Sequence, residues 1–555
     1  MPVYYNDGLD DAVQYDRQAS FVGGQISNFR ENLLNESQAE SLKDLDTEKN
    51  GILKSRRGFH RFADLLGSTS SSTNTQGLAY FDTDTKESLV AFVNSNIYGV
   101  DSGGTVTTIG SAKANSATAQ VDNCQVADKL FYASHVTNNR VGQVKWTGAA
   151  WAVTEVPDGP VNSKYLVNNS FRIFAVQPSD NQVYVSDILP DSSSGTVFPA
   201  ANAFKVGLGD PITGMASWVG FNVVVFCKNS CYVIDTNPVP ATASPAIPAA
   251  STFKIRTIST SSGCLSHGSI AQVGEDLYYL SRTGVRSIRR TMEENMIASD
   301  VGIISYPIQD VIDSINWAQA EKATATWWNG RYILSFPTGA STTNDTTIVY
   351  NTNTQSWMGV WRGAVTIAAG VESSTINPTD YAVTQFSGGK PFLISLDKIG
   401  NPLQFRDFVE DINLVDEDFQ DKPVTTLIDT GWEATTRAFT FGEQMTSKDV
   451  EFAEFEFDRS DAVIDIGVLL DNESNDNLAD ELDTGSGELR LTFTLPSTLG
   501  SGAITRFRYS MTQYPEFREL QFNFKQSAQA GTDSRYLALR SIHAGGFLNS
   551  VGVES

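Results

Sequence analysis

The residues best able to do chemistry in this chain are few and far apart. Four histidines occur, His60, His135, His267 and His543, and no two are sequence neighbours. A nucleophilic triad is a spatial arrangement that distant residues can assemble, so this spacing removes local support for one without excluding it. No G-x-S-x-G elbow, phosphate-cradling G-x-x-x-x-G-K-[ST] loop or H-E-x-x-H helix is present. The cysteines are Cys124, Cys227, Cys231 and Cys264. Cys227 and Cys231 have the spacing of half a zinc site, but a second close pair is missing and His267 beside Cys264 is a scattered candidate. The favoured reading has the two cysteines facing each other across a hairpin turn as small buried residues. Carboxylates crowd the run 471–483, DNESNDNLADELD, which could gather oxygens around calcium. It lacks the glycine and terminal glutamate of a calcium-binding loop and reads as a solvated acidic loop, and Asp82 and Asp84 are a weaker case still. Glycines in 207–214, GLGDPITG, lack dinucleotide-binding spacing and read as a turn.

Two basic groups complete the inventory: Lys54, Arg56, Arg57 and Arg61, and Arg282, Arg286, Arg289 and Arg290. Each could touch phosphate, yet the chain holds 64 acidic against 40 basic residues, a net charge of −24. Phosphate binding needs Lys and Arg to displace condensed counterions, so the expected role of these groups is salt bridging within an acidic protein or to a neighbouring subunit. The same dispersed acidity suits a surface that DNA passes without sticking. No catalytic, cofactor-binding, metal-binding or partner-binding residue is nominated, and no cofactor is expected.

At 555 residues the chain is long enough for two or three domains or for one large repeat architecture. Hydrophobic residues make up 41 % and charged residues 19 %, the balance of a folded globular protein. The cysteines form no dense framework of the disulfide-stapled kind. Asn6, Asp7 and Asp10 break up the first residues, and no apolar stretch approaches a membrane span. A soluble protein made in a reducing compartment is expected.

From about 76 to 407 the sequence consists of short β-rich runs broken by Gly, Asn, Asp or Ser. They come in pairs: 88–94 with 97–100, 129–134 with 142–146, 171–176 with 182–186, 221–227 with 231–235, 276–281 with 285–288, 331–336 with 347–351, and 391–396 with 403–405. Their recurrence at roughly 40 to 60 residues is the spacing of four-stranded propeller blades. Asn229-Ser230, Thr283-Gly284 and Asn329-Gly330 supply tight reversals. Ile308, Val311, Ile312 and Ile315, after Pro307, predict a helix of about three turns over a blade junction. A second short helix is expected near Ser37, where Ser37 and Glu40 form a capping-box pattern.

From about Thr425 the texture changes. Phe452, Phe455 and Phe457 are joined by charged residues, and Leu489, Leu491, Phe493 and Leu495, then Leu520, Phe522 and Phe524, alternate with polar residues, the signature of antiparallel strands with one face in a core. The expected fold is all-β: a propeller of six or seven blades over 76–424, an N-terminal extension 1–75 joining it, and a sandwich-like β-rich domain over 425–555, with few short helices.

The N-terminal segment FVGGQISNFRENLLNESQAESLKDLDTEKNGILKSRRGF resembles the opening of podophage tail nozzle proteins, the tail tubular protein B or tail stabilisation family. The matching features are Gly23-Gly24, Leu33-Leu34, Gln38, Leu42, Gly51, Leu53, Arg56 or Arg57, and Gly58. The helix at 308–315 preceding NGRYILSFP and Trp357, and the segment TTRAFTFGEQMTSKDVEFAEFEFD, are similar to later parts of that family. The resemblance implies a non-enzymatic virion structural protein: a homo-oligomeric, hexameric ring of the phage tail, assembled in the host cytoplasm. Such a ring lies below the portal and adaptor, contacts tail fibre or needle proteins, stabilises packaged DNA and forms the channel for genome ejection. A phage glycan-binding or glycan-cleaving propeller is the competing expectation. Its paired carboxylates have no specificity in so acidic a chain. A propeller scaffold of cellular origin would leave the N-terminal pattern unexplained.

Overall fold

The computed structural model describes residues 13–548 apart from 48–49, 67–73, 113–118, 135, 137, 188, 190–196, 200–201, 237–252, 298–301, 363–375, 387–388, 407–419, 423–427, 430, 443–445, 459–462, 472–489, 495–503, 513–516 and 527–536. Each of the seven hairpins read from the sequence falls in a different sheet, following its innermost strand, and the sheets stand around a common axis as the blades of a β-propeller. Blade 1 runs Thr75–Thr83, Lys86–Val93, Asn96–Val100 and Val106–Gly110, every strand antiparallel to the last. Blades 2, 3 and 4 repeat the pattern, opening with innermost strands Asp122–Val126, Tyr165–Asn169 and Ile212–Trp218. Blade 5 has three strands, Ala271–Val273, Asp276–Ser281 and Gly284–Ser287. Helix Ile288–Ile297 follows it directly and packs on the outer strand Lys254–Ser259 of blade 4; the sequence reading had continued a strand to Ile288.

Blade 6 begins at Thr324–Trp328 and blade 7 at Pro378–Thr384. The outermost strand of blade 7 is Phe59–Arg61, which pairs antiparallel with Pro402–Phe405. A strand that precedes blade 1 thus completes the last blade, and the innermost strands of blades 7 and 1 touch to close the ring. Between each pair of neighbouring blades lies its own apolar cluster. In Asn222–Cys227, Val223 and Val225 face blade 3 while Val224 and Phe226 face blade 5. Alternation therefore buries both faces of an inner strand, and each fully buried Val or Phe contributes about 1.5–3 kcal/mol.

The stripe Ile308, Ile312 and Ile315 is buried between blades 5 and 6, as its spacing predicts. The helix is shorter than expected: a 3-10 turn Tyr306–Ile308, with Pro307 in its first turn, and then Gln309–Asp313. No helix forms at Ser37. Gln38–Lys43 is a strand, parallel to Gly24–Gln25 on one side and antiparallel to Glu433–Thr436 on the other, with Ala39 and Leu42 fully buried. Two-sided pairing with buried side chains outweighs a capping pattern, which is a weak local preference.

The second module is a β-sandwich. One sheet orders Ile504–Ser510, Lys448–Asp458, Ala538–Leu548, Leu53–Ser55 and Leu45–Thr47, with Gln14–Gln18 also on Ala538–Leu548. The other orders Gln38–Lys43, Glu433–Thr436, Leu520–Gln526, Val463–Leu470 and Arg490–Thr494. Phe21, Leu42, Leu53, Trp432, Phe455 and Phe522 meet between them. N-terminal strands are thus woven through both sandwich sheets. Val360 of Ser356–Arg362 in blade 6 pairs parallel with Lys43, so the blade 6 sheet continues into the sandwich.

A buried ionic network pins this joint. Arg56, 2 % exposed, gives its Nε–H to Asp44 at 2.9 Å and a bidentate pair of N–H groups to Asp421 at 2.9 and 2.6 Å. Asp44 also accepts from the Arg362 backbone at 3.1 Å and from its Nε at 2.7 Å. Burial works against the charge on Arg56, but Asp421 and Asp44 outweigh it and hold the guanidinium charged.

Candidate functional site

Because every innermost strand runs the same way, the residues at their starts converge on the propeller axis. There they line a cavity of about 210 Å³ that includes Asp122, Tyr165, Thr213, His267, Thr324 and Asp380. Asp122 accepts hydrogen bonds from the Leu166 backbone N–H at 2.6 Å, from its own neighbour Asn123 at 2.9 Å, and from Nε2–H of His267 at 3.0 Å. Nδ1 of His267 accepts the Met215 backbone N–H at 3.2 Å, which assigns the ring proton to Nε2. The imidazole lies against the Tyr165 ring, centroids 4.7 Å apart. One Asp–His pair thus ties together blades 2, 3, 4 and 5. With both ring nitrogens engaged, His267 is held as a strut and has no lone pair to offer as a base.

Asp380 does the corresponding work where the ring closes. Its carboxyl accepts the Leu78 backbone N–H of blade 1 at 2.7 Å and the Tyr381 N–H at 2.8 Å. Burial pushes its pKa up to about 7 and Asp122 adds to the rise, against the pull of the two N–H donors and of His267. Asp397, buried in the next strand of the same blade, is pushed by burial to about 7 as well.

Above this floor the axis widens into a second cavity of about 400 Å³, which shares Gln120, Lys164, Glu321 and Thr379 with the first. Its rim carries Lys164, Lys322 and Lys398, all half-buried, together with hydroxyl and amide side chains such as Thr75, Thr343 and Asn344. Lys322 Nζ donates to the Thr342 carbonyl at 2.8 Å, and Lys164 Nζ stands 5.4 Å from the centre of the Tyr165 ring.

The chemistry-bearing residues noted in the sequence lie mostly elsewhere. Cys227 and Cys231 are buried free thiols, but they do not face each other: Cys227 joins the cluster toward blade 3 and Cys231 the cluster toward blade 5. Residue 226, not 227, pairs with 231, and strand alternation sends 227 to the opposite face. Burial pushes both thiols up, to about 11 and about 12. Among the described residues no group of three or more His, Cys, Asp or Glu is placed to hold a metal. Segment 207–214 does connect blade 3 to blade 4, where Asp210 accepts hydrogen bonds from Asn229 and Ser230 in a neighbouring turn. Asp82, at the end of strand Thr75–Thr83, and Asp84, in the turn after it, are both exposed. His135 and most of the acidic run 471–483 lie outside the described residues; Asp471 itself accepts the backbone N–H groups of Arg518 and Glu519.

Of the basic groups, Arg56, Arg61 and Arg289 are ion-paired, with Asp44 and Asp421, Asp64, and Glu275 respectively. Arg286 is buried against Thr283. His60 lies in the outer strand of blade 7, and His543 in the sandwich beside Ser541. Among the described histidines, only His267 reaches the axis. Asp122, Asp380 and the three lysines were not singled out by sequence reasoning, which marked the second and third strands of each blade and left the innermost strands unread.

Neither a protein-family profile nor a curated protein sequence matches the chain. Solved structures similar to it include the extracellular domain of a B. thetaiotaomicron one-component system, at 10 % identity and TM-score 0.38, covering 62 % of this chain and 39 % of that one. The WD40 β-propeller domain of Doa1 is similar at 8 % identity and TM-score 0.37, over 62 % of this chain and 96 % of that one. A gluconolactonase from Xanthomonas campestris follows at 10 % identity and TM-score 0.31, over 66 % and 97 %. Likeness at this level assigns no function; the propeller is established by its own blade pairing. No helix among the described residues is long and apolar enough to cross a membrane.

Proposed function

We propose that this chain is a structural subunit of a podophage tail nozzle, a ring below the portal and adaptor through which the genome leaves. One observation carries the reading: the residues that resemble the nozzle family form the joint of the molecule. Gly24, at φ +67°, lies so close to blade 6 that a Cβ would stand 2.1 Å from the Trp357 carbonyl oxygen. Gly51, at φ +80°, turns the chain against Ser20. Leu42 and Leu53 are fully buried in the sandwich, and Arg56 holds the ionic network.

A duct wall must be rigid and must not hold DNA. Interwoven modules meet the first need, and a net charge of −24 suits the second. In a ring the contacts are heterologous and repeat around a closed axis. Electron microscopy of the purified chain, alone and mixed with portal–adaptor particles of a podophage, is expected to show rings with a central channel or added density below the adaptor. A chain that stays monomeric alone and with those particles would overturn the proposal. Turnover of host polysaccharide by that monomer would favour the glycan-cleaving propeller instead.

A further inference from the structure

The rim of the axial cavity carries lysines that meet a carbonyl and a ring but form no ion pair among the described residues. Lys164 starts from blade 3, Lys322 from the turn before blade 6 and Lys398 from blade 7, and all three line one cavity of about 400 Å³. In a chain with 64 acidic residues against 40 basic ones, none of the three is ion-paired among the described residues. Glu321 is the one carboxylate on that rim among the described residues, and it is not within ion-pair distance of any of them. Two other half-buried lysines are paired, Lys43 at 3.1 Å and Lys525 at 3.5 Å from Glu433. Three like charges gathered round a partly desolvated space repel one another; the charge of Lys398 is felt by the buried Asp397 behind it, but none of the three has a carboxylate at ion-pair distance among the described residues, and such an arrangement is suited to an anion.

The remaining lining restricts what the anion is attached to. Threonine hydroxyls and the side-chain amides of Asn74 and Gln120 surround the lysines, and no aromatic ring faces the rim. Deeper on the axis, through the shared Lys164 and Gln120, stand the carboxyls of Asp122 and Asp380. Hydroxyls, amides and carboxyls all match a polyhydroxylated body, whose OH groups both donate and accept. A cavity of this size takes one small ligand and not a polymer.

We propose that the axial mouth of the propeller binds one acidic saccharide unit, its carboxylate or phosphate held by Lys164, Lys322 and Lys398 and its hydroxyls by the polar wall. The site belongs to the propeller alone and does not depend on the nozzle reading. Isothermal titration of the full chain with glucuronate and with glucose 6-phosphate distinguishes the two oxyanions, with glucose and inorganic phosphate as controls. Saturable binding of at least one acidic sugar is expected, about tenfold or more tighter than either control, because sugar and anion contacts then act together. Lys322→Gln and Lys398→Gln should each weaken it by about tenfold, the loss typical of one charge-assisted hydrogen bond. Circular dichroism and an unchanged melting temperature would show that these variants fold. Absence of binding by both acidic sugars, equal binding of inorganic phosphate alone, or undiminished binding in the folded double variant would each overturn the assignment.

Discussion

Two clusters of charge lie at the heart of this molecule and are built on opposite plans. At the joint between propeller and sandwich, Arg56, Arg362, Asp44 and Asp421 are packed together with every guanidinium aimed at a carboxylate. Around the axial mouth, Lys164, Lys322 and Lys398 share a cavity without ion pairs among the described residues. The first plan neutralises charge internally and so can serve as architecture. The second leaves charge available to something else. Whether an ionic group stabilises a fold or serves a ligand is thus read from its partners and not from its charge.

If that contrast is right, the joint is where substitution costs most. Arg56→Met removes the bidentate partner of Asp421 in a fully buried setting, a change that costs about 3–5 kcal/mol. Urea unfolding followed by fluorescence is expected to show a large fall in midpoint. A midpoint equal to that of the parent protein would mean that the joint is held by packing alone.

Two carboxyls of blade 7 sharpen the comparison through pH. Asp380 and Asp397 have folded pKa values raised to about 7 from an ordinary 3.8. Between those values the folded state binds the extra protons. The stability these groups contribute is therefore fully present below the unfolded value and is lost as pH rises through about 7. A decline of about 2–4 kcal/mol between mildly acidic and mildly alkaline buffer is expected from urea titrations, and Asp380→Asn should reduce it by about half, leaving the share of Asp397. A stability that does not decline over that interval would show the two carboxyls to be ionised throughout.

Smaller effects lie at the edges of the two clusters. Gly24→Ala places a side chain at positive φ against the Trp357 carbonyl and should cost about 1–3 kcal/mol by thermal unfolding. Lys398→Gln, in contrast, should change stability by no more than about 0.5 kcal/mol, since it breaks no pair. A loss several times larger would make the rim lysines structural and erase the distinction drawn between the two clusters.

Much of the fold is legible in the sequence, for reasons that can be located. The seven hairpins were found because adjacent strands and their turns are local: in Arg331–Phe336, alternation and the Asn329-Gly330 reversal, both at positive φ, lie within a few residues of each other. Misreadings came where a partner was distant. Ser37 and Glu40 resembled a helix start, yet Gln38–Lys43 is extended because Glu433–Thr436, some four hundred residues later, pairs with it. Phe59–Arg61 gives no local sign that it completes the last blade. Cys227 and Cys231 were placed at the right turn but on the wrong faces, since one residue of register decides which way a strand side chain points.

The sequence by itself determined the all-β class, the blade-like repeat, the change of texture near Thr425 and the acidic balance, because each follows from composition or from short-range periodicity. Tertiary structure alone decided the blade number of seven, the threading of the N-terminal strands through the sandwich, and the meeting of Asp122, His267 and Asp380 on one axis. These depend on pairings between residues hundreds of positions apart. Closing a ring brings together the start of every innermost strand, whatever its place in the chain, and no local pattern records that meeting.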